Sequence, residues 1–401
     1  MKKLLYTVLL CLFISTALHA DEKNRPAISA GWTYSNITNT DNIPFSYIDR
    51  NGVNSYYVKL AFNTKPGGHY EEYQEIMNFP VFGVGAGFDN FSAMQFKNNS
   101  RLGNFVNVYA FLEEAFYKNR YFSVGFNAEL GVGFTDTVYD VYTNPLEINI
   151  GAPVSIYMKF GPQIKLRPSD RIELIVNGNW FHHSHSNLCM PNWGLNNLGI
   201  GAEVRYNIDR PHTEEITHLR KKHEFEKKLG FDVFTSFGLQ ASKPEFSAYN
   251  RSVEKPEDKK TDFPTRPRMG IGFDAMYRYC LFCSTGLAID CNYTCDSDVL
   301  RNSDRMLYGQ EAVDKGPGYS PFSLSAGFAH EFHYGNVSAY CGMSYYLFRK
   351  VGIKGNNGRF YQRAGMRFRF PRLRNIFLAW NVRATQFSNA DFLEFQLGFR
   401  I

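Results

Sequence analysis

The sequence predicts an all-β fold: a transmembrane antiparallel β-barrel of the outer-membrane type, with about 16 strands in two related eight-strand halves. Three observations carry that reading. Apolar residues alternate with polar or small ones along the whole chain, no apolar run after the N-terminal leader is long enough for a membrane helix, and short connections alternate with long ones. Aromatic residues make up 16% of the chain and glycine fills 33 positions. That composition, with period-two patterning, belongs to strands.

Residues 1–20 read as a secretory signal. Lys2 and Lys3 precede an apolar stretch from Leu4 to Ile14, and the small residues Ser15, Ala17 and Ala20 follow. Its removal takes two lysines from a formal charge of +6 and leaves +4 on the mature chain. So weak a bias gives no reason to expect a nucleic-acid partner. Beyond residue 20 there is no uninterrupted apolar run of the ~18 residues a spanning helix needs.

The strand pattern is explicit in several places. Leu229, Phe231, Val233, Phe237 and Leu239 alternate with Gly230, Asp232, Ser236 and Gly238. Phe322, Leu324, Ala326 and Phe328 alternate with Ser323, Ser325, Gly327 and Ala329, and Leu393, Phe395, Leu397, Phe399 and Ile401 with Glu394, Gln396, Gly398 and Arg400. Candidate strands of roughly ten residues, the length of a tilted crossing, centre near 32, 58, 85, 108, 126, 158, 176, 203, 235, 272, 287, 327, 342, 364, 379 and 395. If the first runs outward, many even-to-odd connections are short, as at Lys118-Asn119-Arg120, Arg167 to Asp170 and Tyr334-Gly335-Asn336. Short periplasmic turns with long outer loops are the barrel pattern, and a barrel must close because lipid cannot satisfy an open sheet edge. One large barrel or two small ones would each satisfy this pattern.

Two segments interrupt it, 64–79 and a charged linker over 209–228 that includes His218 to Lys222. The linker separates a unit at 21–208 from one at 229–401. The stretch Lys165 to Leu174 parallels Arg369 to Leu378, and the strands that follow end in His182-His183-Ser184-His185 and Gln386-Phe387-Ser388-Asn389. This reads as a duplicated eight-strand unit whose second copy, with Gln386 in place of histidine, is catalytically silent.

On the strand around 176, Ile172, Leu174, Val176 and Trp180 share one parity, and His182 and Ser184 continue it. Serine needs a base within hydrogen-bond reach, and an i, i+2 pair on a strand puts both side chains on one face. Asn196 has the apolar parity of the next strand, with Leu198, Ile200 and Val204, so it is expected to face the same lipid boundary. The opposite faces carry Glu173, Asn177, Asn179, Glu203, Arg205 and Asn207, as expected of a barrel interior. Adjacent His182 and His183 point to opposite faces, which argues against a metal site. Neither a metal nor a cofactor is expected.

The segment Phe181-His182-His183-Ser184-His185-Ser186-Asn187, followed by Pro191-Asn192-Trp193-Gly194, resembles the lipid A 3-O-deacylase (PagL-like) branch of the acyloxyacyl hydrolases. Their motif is His-x-Ser-Asn, about six residues, then Pro-Asn-x-Gly. The resemblance covers roughly residues 22–208. It implies an eight-stranded outer-membrane barrel that cleaves the ester-linked acyl chain at the 3 position of lipid A with a Ser-His-Glu triad. Carried over without gaps, it implies His182 as base, Ser184 as nucleophile, and Asn192 and Gly194 as the Pro-Asn-x-Gly pair that serves the oxyanion. His185, which stands where the family has asparagine beside the nucleophile, joins Asn192 and Gly194 as an oxyanion or substrate-binding candidate, and Asn196 stands where the family has the triad glutamate. A register with Ser186-Asn187 as the Ser-Asn pair requires two deletions.

The implied substrate is lipid A or lipopolysaccharide, met in outer-membrane lipid, and a homodimer remains open. Two readings of other kinds stand beside it: an outer-membrane phospholipase, and a non-enzymatic porin-like or structural barrel. Arg266 and Arg268 could meet lipid A phosphates. The six cysteines beyond the leader, Cys189, Cys280, Cys283, Cys291, Cys295 and Cys341, are expected to form disulfides in an oxidising compartment.

Overall fold

The computed structural model describes residues 25–38, 52–67, 70–94, 100–209, 225–355, 358–373, 375–385 and 389–401. The leader, most of the charged linker and Gln386 to Ser388 lie outside them. Sixteen strands form two closed antiparallel barrels. The first contains β1 (Arg25–Ile37), β2 (Val53–Asn63), β3 (Val81–Asn90), β4 (Phe105–Lys118), β5 (Phe122–Phe134), β6 (Val154–Leu166), β7 (Ile172–Ser184) and β8 (Leu195–Asn207). The second contains β9 (Lys228–Gln240), β10 (Arg266–Arg278), β11 (Cys283–Thr294), β12 (Tyr319–Tyr334), β13 (Val337–Val351), β14 (Phe360–Phe370), β15 (Ile376–Thr385) and β16 (Asn389–Arg400). Every expected strand centre falls inside its strand.

Closure settles the choice between one barrel and two. In the first half, β8 pairs back onto β1, with Gly31 opposite Glu203. In the second, β16 pairs onto β9, with Phe395 opposite Phe237. By contacts the chain divides into Met1–His185 with Trp193–Lys222, and Ser186–Asn192 with His223–Ile401. The segment Ser186–Asn192 between β7 and β8 thus groups with the second unit.

Both barrels are built inside out relative to a soluble protein. On β8, Ile200 is 66% exposed whereas Arg205, of the other parity, is 0% exposed. The same alternation runs along β7, where Ile172, Leu174 and Val176 face outward and Glu173, Ile175 and Asn177 inward. Exposed aromatics gather at both ends of the first barrel: Tyr117, Tyr121, Phe122 and Tyr206 near the short turns, Tyr34, Tyr56, Phe88 and Phe134 toward the other end. An apolar outer band between aromatic girdles is what a bilayer selects. None of the helices among the described residues is long and apolar enough to cross a membrane.

The lumens are filled by paired charges. In the first, Lys59 Nζ lies 3.0 Å from Glu129 and 3.2 Å from Glu203, while Arg205 donates to both oxygens of Glu113 at 2.7 Å. In the second, Arg367 donates to Asp232 at 2.8 Å and Asp274 at 2.6 Å, and Arg363 to Asp290 at 3.0 Å and Glu394 at 3.1 Å. Breaking such a pair strands a buried charge, at a cost of about 3–5 kcal/mol.

The outer loops of the second barrel add helices, and the cysteines depart from expectation. The charged loops after β9 and β11 contain helices, Lys243–Phe246, Ser297–Tyr308 and Gln310–Lys315, and Ser242 caps the first by accepting from Glu245 N–H at 3.3 Å. Cys280, Cys283, Cys291, Cys295 and Cys341 are free thiols rather than disulfide partners. Geometry explains one case: Cys291 on β11 and Cys341 on β13 have all of β12 between them. Two strand spacings, about 9.5 Å, exceed the reach of a disulfide.

Candidate active site

β7 and β8 bring His182 directly opposite Asn196 in the strand register. Both carry the outward parity, and His182 Nδ1 is 2.6 Å from Asn196 Oδ1. Amide oxygen only accepts, so Nδ1 carries the proton and donates it, which leaves Nε2 with the lone pair a base requires. The imidazole also stacks on Trp180, the preceding residue of the same face, with ring centroids 5.5 Å apart and planes 4° from parallel. Asn196 is itself fixed from β1, since its carbonyl accepts from Thr38 N–H at 2.9 Å.

Ser184 closes β7 on the same parity, opposite Ile156 of β6, and is buried. Gly194 supplies room for the His182 ring. Its φ is +71°, and a Cβ there would lie 2.7 Å from His182 Cε1. Both the backbone conformation and the space exclude larger residues. The Gly194 N–H donates to Asn149 O at 3.1 Å, so what this glycine contributes to the site is space.

The loop between β5 and β6 clamps this region. Trp193 N–H donates to Ile148 O at 3.3 Å, and Gly151 N–H donates to His185 Nε2 at 3.1 Å. His185 is therefore an anchor for the loop, with its Nε2 unprotonated. Within the loop Glu147 Oε1 accepts from the N–H groups of Asn149 and Ile150 at 3.0 and 3.1 Å. Burial pushes the Glu147 carboxyl up to about 8, against the pull of those two bonds. Asn192 lies in the segment that groups with the second unit. Its amide donates to Asn187 Oδ1 at 3.1 Å, and Asn187 accepts from Ala241 N–H at 2.7 Å and donates to Ala390 O at 2.5 Å.

One serine-histidine-carboxylate set was not visible in the sequence pattern. His183 points into the first lumen, with Nε2 2.9 Å from Asp89 and Nδ1 3.3 Å from Ser155 Oγ, and it stacks on Phe105 at 4.0 Å. All three members are buried, and the adjoining cavity measures about 10 Å³. That is room for a single water. This set anchors β7 from the inside while His182 faces out. Strand parity could have flagged His183 as interior, but Asp89 is 94 residues away in sequence. Arg266 and Arg268 are each ion-paired, to Glu245 at 2.9 Å and Asp296 at 2.7 Å. Among the described residues, no group of His, Cys, Asp and Glu is arranged to hold a metal ion.

Residues 229–401 match the family model of the acyloxyacyl hydrolase C-terminal domain. No curated protein matches the chain. Among solved structures, Neisserial surface protein A aligns at 7% identity over 46% of this chain and 97% of its own, with a TM-score of 0.28. OccAB1 of Acinetobacter baumannii aligns at 10% identity over 96% and 98%, with a TM-score of 0.24. OccK5 of Pseudomonas aeruginosa aligns at 11% identity over 95% and 98%, with a TM-score of 0.21. The family match falls on the second barrel, the half that lacks the histidine-serine motif. What that match shows is a likeness of the second barrel to the acyloxyacyl hydrolase C-terminal domain.

Proposed function

We propose that this protein is an outer-membrane esterase that removes an ester-linked acyl chain from lipid A, by 3-O-deacylation, with Ser184 as nucleophile, His182 as general base and Asn196 as the group that orients it. The observation that carries the reading is the 2.6 Å bond from His182 Nδ1 to Asn196 Oδ1 on the lipid-facing surface of β7 and β8. An outward base at the long-loop end of its strand meets acyl esters of the outer leaflet without an entry path.

Nε2 of His182 takes the Ser184 hydroxyl proton as Oγ attacks the ester carbonyl. It then returns that proton to the departing sugar oxygen, which leaves an acyl-serine. Water, activated by the same nitrogen, releases the fatty acid. Asn196 holds the tautomer and ring orientation through the first step. It brings no charge to balance the imidazolium, so catalysis rests more heavily on oxyanion stabilisation. The motif gives that role to Asn192, with Gly194 admitting the imidazole.

Export by the N-terminal leader belongs to the same proposal, as does a division of labour in which the unit at 21–208 carries catalysis and the unit at 229–401 does not. Ion pairs that cross both lumens favour the esterase over a channel. The test is mass spectrometry of lipid A from Gram-negative cells that express the protein, beside Ser184→Ala and His182→Ala at equal membrane abundance. Loss of one hydroxyacyl chain, abolished in both variants, is expected. Unchanged lipid A with folded barrels would sink the assignment, and cleavage of phospholipid instead would move it to the phospholipase.

A further inference from the structure

The long-loop end of the second barrel contains a cavity of about 60 Å³ lined by Arg268, Arg349 and Arg383, with Asn292 and Asp391. Arg383 is held rigidly. Its guanidinium lies 3.7 Å above the centre of the Tyr361 ring, Nη1 donates to Asn292 Oδ1 at 3.0 Å, and Nη2 to the Tyr346 hydroxyl at 3.1 Å. Its Nε–H has no hydrogen-bond partner in the protein, nor has Asn292 Nδ2, although both atoms are buried. Arg383 is 2% exposed and Asn292 7%. Two neighbouring donors left buried and unpaired in the wall of one cavity call for an acceptor inside it.

Charge and size narrow the acceptor. Of the charged residues that line the cavity, three are arginines, Arg268, Arg349 and Arg383, and one is a carboxylate, Asp391, which accepts from Thr385 Oγ1 at 2.5 Å. The lining is predominantly cationic. At roughly 10–15 Å³ per water-sized group the cavity holds about four or five, the size of a tetrahedral oxyanion. A phosphoryl group has the charge, the shape and the acceptor oxygens for planar arginine donors. We propose that the mouth of the second barrel is a phosphoryl-binding site in which Arg383 Nε and Asn292 Nδ2 donate to the anion. The site would take a phosphosugar on a lipid or free phosphate. It does not depend on the esterase assignment.

The test is isothermal titration of the full chain in a phosphate-free detergent at fixed ionic strength, with inorganic phosphate and separately with glucosamine 1-phosphate. Saturable binding is expected, weakened at least about tenfold by Asn292→Asp, which preserves the acceptor for Arg383 but replaces the free donor with a charge. Tighter binding of the phosphosugar would assign the site to a lipid-borne headgroup, and equal or tighter binding of inorganic phosphate to the free ion. Absence of saturable binding by either probe, or equal binding by the variant, would overturn the proposal. If Asn292→Asp does not fold, Arg268→Gln at the rim substitutes for it, with the same expected loss.

Discussion

The two barrels share strand number, closure and an inside-out pattern, yet they place their chemistry on opposite sides of the wall. In the first, the proposed base His182 meets the amide of Asn196 on the lipid face, and the lumen is closed by a lysine, arginine and glutamate web around Glu113, Glu129 and Glu203. In the second, the lumen is arginine-rich, and its mouth retains unpaired donors at Arg383 and Asn292. Each also buries a serine-histidine-carboxylate set. Asp89, Ser155 and His183 lie toward the long loops of the first barrel, whereas Ser284, His333 and Glu331 lie beside the short turn of the second. Alternation along a strand lets the two faces diverge independently, so one scaffold can support a reaction outside or a ligand inside.

The sharpest way to break this comparison is to exchange the loss of matching residues. His182→Ala or Ser184→Ala is expected to lower lipid A deacylation by on the order of 10⁴-fold or more. Ser284→Ala in the second barrel is expected to leave it unchanged at equal membrane abundance. Deacylation lost in Ser284→Ala as well would end the division of labour between the barrels.

Next in size is Arg367→Ala. It strands Asp274 in the second lumen, while Asp232 keeps Arg400 at 2.6 Å, and is expected to cost about 3–5 kcal/mol, read as a lower temperature of the gel-mobility transition that marks barrel unfolding. Replacing Arg367 and Asp274 together by apolar residues, with Asp232 left to Arg400, should recover most of the loss. Failure to recover would mean that the charges define the barrel rather than merely cancel one another.

Gly194→Ala sharpens the view of the first barrel. A Cβ 2.7 Å from His182 Cε1 must displace the ring or the loop. The expected result is about a 10²-fold fall in kcat with KM little changed, because misplacement of a base weakens the chemical step. Full activity would show that His182 does not react in this orientation.

The smallest effect is one of pH. The Glu147 carboxyl, raised to about 8 by burial, is protonated in the folded loop over a range where an unfolded glutamate is already ionised. Its contribution to loop order is fully present below pH ~4.5 and is lost as pH rises through about 8. Hydrogen exchange at Asn149 and Ile150 should accelerate over that interval, and Glu147→Gln should flatten the dependence. No comparable change is expected in the loops of the second barrel.

Much of the fold was legible because a lipid-exposed strand repeats every two residues and its turn lies close in sequence. The parity of His182, Ser184 and Asn196 came from the same period. The number of barrels was not legible, since closure depends on pairing Gly31 with Glu203 and Phe395 with Phe237, contacts with no local signature. The His183 and Asp89 pair escaped for that reason, and the loop helices because charged segments between strands read as solvated loops. The thiols misled because compartment chemistry says that cysteines can pair, and only strand positions say whether they meet.

Trp180 has a use beyond shaping the site. An indole stacked 5.5 Å from an imidazole experiences the ring's charge directly, since a cation over its face alters its electronic states. The chain has 4 tryptophans, and replacement of Trp32, Trp193 and Trp380 by phenylalanine would leave one fluorophore beside the base. Its emission would then report the titration of His182 optically, in the membrane and without substrate.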